Sequence, residues 1–158
     1  MPKTTSDLFR AIKNGTFEDD EFTPEGEPVV GLLYPRFEST TYIDGLGVEQ
    51  VSQADVTVHP LRTGDEVEAG GGTSMFDVDG WFGFGHWKYF KVPNGTEYPD
   101  NLVIKRGRSK RTNKSGQRSG YHYQIEPKNR MTVSAYKGAL DTFARSAVAK
   151  SVELAKGK

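Results

Sequence analysis

The run Gly70-Gly71-Gly72-Thr73-Ser74-Met75-Phe76-Asp77 joins reactive side chains to a backbone free enough to meet a ligand. A triple glycine lets the main chain come within contact distance of a bound molecule and expose its N–H groups. The two hydroxyls that follow can position a ribose, a phosphate or a neighbouring acid. The same letters also suit an ordinary turn entering a strand. They do not make a triphosphate-binding loop of the Gly-x-x-x-x-Gly-Lys-Ser/Thr kind, because Lys114-Ser115 follows Asn113 rather than a glycine.

Arg10 lies inside the apolar pentapeptide Leu8-Phe9-Arg10-Ala11-Ile12. There a guanidinium is costly unless it is paired or meets an anion; on a strand with one wet face it points to solvent instead. His122, Gln124 and Glu126 fall on one face of a strand by the period of two, with Tyr121, Tyr123 and Ile125 on the other. Such a polar row is either the solvated side of a sheet or the floor of a cleft. Metal and hydrolytic chemistry find little support. The 3 His (His59, His86, His122) are dispersed, there is no Cys, and neither His-Glu-x-x-His nor Gly-x-Ser-x-Gly occurs, so no metal site is expected.

The elements that must carry these residues read as strand-rich with one terminal helix. Leu8 to Ile12 suits a first strand ended by Asn14-Gly15, and Val29 to Tyr34 is a short apolar run closed by Pro35. Val56 and Val58 alternate with polar residues as a half-buried strand does, and Thr73 to Phe76 suits a strand or a strand-to-helix turn. Trp81 to Val92 is dense in aromatics, but its glycines exclude a long helix. Pro93-Asn94-Gly95-Thr96 is a turn, Leu102-Val103-Ile104 a strand, and Tyr121 to Glu126 a strand stopped by Pro127. Between them the polar, basic stretch 105–120 is expected to be a mobile loop. From Thr132 onward Tyr136, Leu140, Phe143, Ala144, Ala147, Val148 and Leu154 recur at helical spacing, with Thr132 or Ser134 as N-cap. The fold class is α+β, and the 158 residues are expected to form a single domain.

The net charge of zero hides a polarity. Residues 1–101 carry 7 Lys and Arg against 18 Asp and Glu, and residues 102–158 carry 14 against 3, so the two parts stand near −11 and +11. Such a pole favours an anionic ligand or an acidic partner, or the two parts neutralise each other within one fold. Lys105, Arg106, Arg108, Lys110, Arg111, Lys114 and Arg118 can grip phosphates, which supports a nucleic-acid reading; a solvated charge run is the plainer one. No signal-peptide pattern and no run of about 18 apolar residues is present, so no membrane span is expected and a cytoplasmic site of action is.

The ordered set Leu8-Phe9-Arg10-Ala11, Leu32 to Ser39, Gly71 to Asp77, Val92 to Thr96 with Pro99, His122 to Pro127 and Leu140-Asp141-Thr142-Phe143 resembles the type VI secretion exported effector two toxins. The resemblance runs from about residue 6 to 150. It implies a cytoplasm-acting toxin held inactive by a cognate immunity protein, and delivery by a secretion system without a signal peptide. It also implies an ADP-ribosyltransferase-like split, curved two-sheet β-core with NAD as substrate in the cleft between the sheets. On that pattern Arg10 corresponds to the first-strand basic residue that contacts NAD, Thr73 and Ser74 to the second-strand hydroxyls, and His122 to a pocket residue on the later strand. These four are the catalytic candidates. Gly71, Gly72, Tyr34, Phe76, Gln124 and Glu126 are the secondary candidates, and Trp81 is a further aromatic able to stack on nicotinamide or adenine. Two other readings remain at this level: a ribonuclease or RNA-modifying toxin using the basic 105–118 segment with His122 as acid or base, and a non-enzymatic nucleic-acid or protein-binding module.

Overall fold

A computed structural model describes residues 1–157. Among the described residues twelve strands precede one α-helix: β1 (Leu8–Lys13), β2 (Thr40–Ile43), β3 (Glu49–Ser52), β4 (Val58–His59), β5 (Glu66–Val67), β6 (Thr73–Phe76), β7 (Trp87–Val92), β8 (Leu102–Arg106), β9 (Arg111–Thr112), β10 (Ser119–Gly120), β11 (His122–Pro127), β12 (Met131–Thr132) and α1 (Val133–Lys156). The main sheet is antiparallel throughout, in the order β7-β1-β6-β11-β8. A smaller sheet runs β12-β5-β4, and β2 with β3 and β9 with β10 form separate hairpins. This is the expected α+β architecture with a β-core and a C-terminal amphipathic helix.

Alternation sorts the main sheet into two faces. Leu8, Val92, Met75 and Ile125 lie on the face that α1 covers with Tyr136, Leu140, Phe143 and Ala147, and every one of these is 2% exposed or less. The helix starts where its sequence says it should: the Thr132 hydroxyl accepts from the Ala135 N–H at 3.1 Å. Tyr136 ties helix to sheet, its hydroxyl donating to the Ile125 carbonyl at 2.6 Å. Burial pushes that phenol up to about 12. The buried stripe ends with Ala147 and the half-buried Val148; Leu154 is 46% exposed.

The apolar run Val29 to Tyr34 lies in turns and buries Leu32 and Leu33 in the core. Two local expectations are corrected. The half-buried strand expected around Val56 is reduced to the two residues of β4. The basic stretch 105–120 is a hairpin, not an open loop: β9 pairs with β10, and buried Asn113 closes the turn. The Asn113 amide donates to the Trp81 carbonyl at 2.9 Å, and its Oδ1 accepts from the Arg118 N–H at 3.1 Å. One polar side chain satisfied inside the turn orders a segment with almost no apolar residues.

Candidate active site

The main sheet is nearly divided. β1 pairs with β7 along all six of its residues and β6 with β11 along all four, yet β1 and β6 share one ladder pair, Phe9 with Phe76. Beyond that pair the strands diverge, and Arg10 spans the gap. Its neighbours on the same strand face, Leu8 and Ile12, are buried, so alternation turns the guanidinium inward. Nη1 donates to the Ser74 carbonyl at 3.0 Å and Nη2 to the Tyr34 carbonyl at 2.9 Å. Burial lowers the Arg10 pKa from its ordinary value, while the negative charge of Asp55 opposes that shift. The apolar pentapeptide tolerates an arginine because two main-chain carbonyls meet it.

A cleft of about 540 Å³ opens at the split. Arg10 to Lys13 form one wall with Thr16 and Phe17, and Ser74 and Phe76 form the other. Tyr34, Arg36 and Asp55 stand at its side, with Phe82 and Trp87 continuing the aromatic lining. The dimensions suit a ligand carrying aromatic rings and anionic groups, since ring faces, two guanidiniums and one carboxylate converge on one space.

Thr73 and Ser74 part company. Ser74 lines the cleft, whereas Thr73 is fully buried on the α1 side and donates its hydroxyl to the Leu33 carbonyl. The two hydroxyls therefore do not form one wall: neighbouring strand residues point to opposite faces. Thr73 fixes the segment that carries Tyr34. That segment is held at further points, because Asp141 on α1 accepts from the Gly31 N–H at 3.0 Å and from the Tyr34 hydroxyl at 2.6 Å. Burial and the Asp141 carboxylate push the Tyr34 phenol up to about 12.

Gly71 and Gly72 are outside the cleft lining and allow close chain packing. A Cβ on Gly72 would stand 2.1 Å from the Ile125 carbonyl oxygen, and one on Gly71 would stand 2.4 Å from the Asp55 carbonyl oxygen. The first glycine seats β6 against β11. The second brings the Asp55 segment beside β6, which is how an acid reaches the cleft.

His122 and Gln124 occupy the β6-neighbouring row, opposite Phe76 and Ser74 respectively. The His122 ring packs on Phe76 with centroids 5.3 Å apart. Burial lowers its pKa below the ordinary 6.5, the Arg111 charge adds to the shift, and Asp55 opposes it, which favours the neutral imidazole. Glu126 sits two residues farther along and is only 3% exposed. Its Oε1 makes no hydrogen bond among the described residues, though Lys105 Nζ approaches it at 3.4 Å. Neither His122, Gln124 nor Glu126 lines the cleft itself. Trp81 is buried and stacks on Phe76 at 4.5 Å, backing the cleft wall from behind.

Asp55 and Arg36 escaped the sequence reading. Asp55 Oδ2 accepts from the Arg36 N–H at 2.7 Å, and Oδ1 lies 3.8 Å from Arg36 Nη2. Arg36 stands in the Leu32–Ser39 motif, which was a signal for it; Asp55 is one acid among many, and only the packing at Gly71 singles it out.

Residues 6–152 match the family model described as Tse2 ADP-ribosyltransferase toxin. The chain is also 29% identical to Toxin Tse2 of Pseudomonas aeruginosa, over 98% of this chain and 96% of that protein. A sheet split beneath an inward arginine, with a hydroxyl and ring faces on its rim, is thus carried by a protein that belongs to the Tse2 ADP-ribosyltransferase toxins: it is a toxin with ADP-ribosyltransferase activity, for which NAD is the substrate.

Proposed function

We propose that the split between β1 and β6 is where NAD is held and cleaved. The observation that carries this is Arg10 bridging the two strands beside Ser74, where β1 and β6 part and a cleft opens between them. In ADP-ribosyl transfer the nicotinamide leaves a ribose that becomes oxocarbenium-like, so a site must hold the donor bent, stabilise positive charge at the ribose and exclude water. Ser74 is suited to a ribose hydroxyl, and Phe76, Phe82 and Trp87 to a ring face. Arg36 is suited to the diphosphate. Asp55 supplies the negative charge on the cleft side, a part for which Glu126, turned away toward Lys105, is poorly placed. His122 and Gln124 buttress Phe76 and Ser74 from the next strand, and Thr73 and Asp141 keep the Tyr34 segment in position.

The chain is read as one toxin domain over residues 1–158. Its proposed partner is a cognate immunity protein that covers the cleft, and its proposed site of action is the cytoplasm. Among the described residues no helix is long and apolar enough to cross a membrane. Incubation of the toxin with labelled NAD and bacterial lysate tests the reading. Label is expected in a macromolecule, and Ser74→Ala is expected to lose most of it while remaining folded. RNA cleavage without any NAD turnover would instead select the ribonuclease reading.

A further inference from the structure

One wall of the cleft runs without a break onto a basic hairpin. Phe82 stacks on Trp87 with centroids 4.8 Å apart and meets Phe76 edge-on at 5.7 Å. Phe82 is nevertheless 50% exposed, and Phe84 beyond it is 58% exposed. Two aromatic side chains half in water beside a cleft are not explained by the core. The Arg118 guanidinium lies 5.4 Å above the Phe84 ring, which joins this aromatic strip to the β9–β10 hairpin. Arg108, Lys110, Arg111 and Lys114 are exposed there and form no ion pair among the described residues, and the stretch 105–120 contains no acid. Arg111 is near enough to His122, which packs on the cleft residue Phe76, for its charge to depress the His122 pKa.

From this juxtaposition we propose that the strip Phe82–Phe84 and the β9–β10 hairpin form the acceptor-docking surface, and that the acceptor is single-stranded nucleic acid. Exposed ring faces give bases somewhere to stack, and adjacent unpaired cations neutralise the phosphates between them. An acidic protein would need the charges but not the open rings. Duplexes keep their bases stacked on one another and cannot use the strip. The proposal rests on the cleft being the NAD site and names the acceptor for it. In the transfer step the bond between ribose C1′ and the nicotinamide nitrogen breaks, and neutral nicotinamide leaves with the bonding pair. A hydroxyl or ring nitrogen of the nucleic acid forms the new bond to C1′ and releases its proton to solvent.

The experiment has two arms on the full-length toxin. The first follows fluorescence anisotropy of labelled 12-nucleotide single-stranded RNA, single-stranded DNA and duplex probes across a NaCl series. Both single strands are expected to bind more tightly than the duplex, and whichever binds tighter identifies the acceptor. The triple variant Arg108→Ser, Lys110→Ser, Lys114→Ser is expected to weaken binding more than tenfold and to flatten the logarithmic salt slope by about 2, at roughly 0.7 per lost contact. Phe84→Ala is expected to weaken binding without changing that slope. The second arm measures transfer of label from NAD into lysate, with free nicotinamide release alongside. Nuclease-sensitive label that the triple variant loses, while nicotinamide release persists, supports the proposal. Protease-sensitive label, or equal oligonucleotide binding by wild type and triple variant, overturns it and leaves the transferase reading standing. Absence of nicotinamide release would strike the NAD reading of the cleft, and the anisotropy arm would still decide whether this surface holds a single strand.

Discussion

Arg10 Nη1 lies 3.0 Å from the carbonyl oxygen of Ser74, so the first strand's inward arginine holds the strand that brings a hydroxyl to the cleft. The same guanidinium holds the Tyr34 carbonyl at 2.9 Å. One side chain therefore fixes three walls of the cleft relative to one another, where strand pairing has ended.

Lysine cannot copy that arrangement, because its ammonium is a single compact charge on a flexible stem and lacks the planar fork. Arg10→Lys is expected to lower NAD turnover by about 10–100-fold, the scale of a misplaced catalytic group. Initial rates of nicotinamide release measure this, with the melting temperature recorded to show that the variant is folded. Wild-type turnover would mean that the bridge is dispensable.

Thr73 and Ser74 are adjacent and chemically alike, yet their substitutions should separate. Thr73→Val removes the donor to the buried Leu33 carbonyl and is expected to cost about 1–3 kcal/mol in urea unfolding. Ser74→Ala should change stability by no more than about 0.5 kcal/mol while sharply reducing turnover. The opposite pattern would reverse the two faces of β6.

Much of this was legible in the sequence, for identifiable reasons. Helix α1 announces itself because its apolar stripe recurs at helical spacing from Tyr136 onward and Thr132 marks its start. The inward turn of Arg10 follows from period-two alternation between Leu8 and Ile12. The partition of Thr73 from Ser74 was equally implied by alternation, but which face belongs to the cleft depends on where α1 docks, and that is a long-range fact. The packing part of Gly71 and Gly72 could not be read, because a glycine that admits a ligand and one that admits a neighbouring strand are the same letter. Asp55 left no local signal at all. Its place in the site follows from contacts made across the fold by residues near 36 and 71.

His122 offers a test through its titration. Burial holds its pKa below 6.5, and Arg111 lowers it further. Arg111→Ser is expected to raise the His122 pKa, followed by the imidazole proton signals in an NMR pH titration. The sign for stability follows from the same shift. Above pH 6.5 the ring is neutral in both folded and unfolded chains; as pH falls below 6.5 the unfolded chain takes up the proton first, so stability declines toward the folded value. Arg111→Ser should soften that acid decline. An unchanged His122 titration would remove Arg111 from the neighbourhood of His122.

Asp141 acts on the cleft through Tyr34 and Gly31. Asp141→Asn removes the carboxylate that helps to hold the phenol at about 12, so the Tyr34 pKa should fall toward 10. In the wild type the folded pKa lies above the unfolded one, so this contribution is complete below pH 10 and is lost as pH rises from 10 to 12. The variant should lose it over a narrower interval. Turnover should fall through a raised KM, because Tyr34 lines the cleft. A variant with unaltered Tyr34 titration and unaltered KM would make Asp141 a packing residue only.

The central claim is that the opening between β1 and β6 receives NAD. A crystal structure of the toxin with a slowly cleaved NAD analogue measures this directly. The account predicts nicotinamide-ribose density between Arg10 and Ser74, with the nicotinamide ring against Phe76 and the diphosphate on the Arg36 side. Density for the analogue away from the β1–β6 opening, with that cleft filled only by solvent, would contradict it.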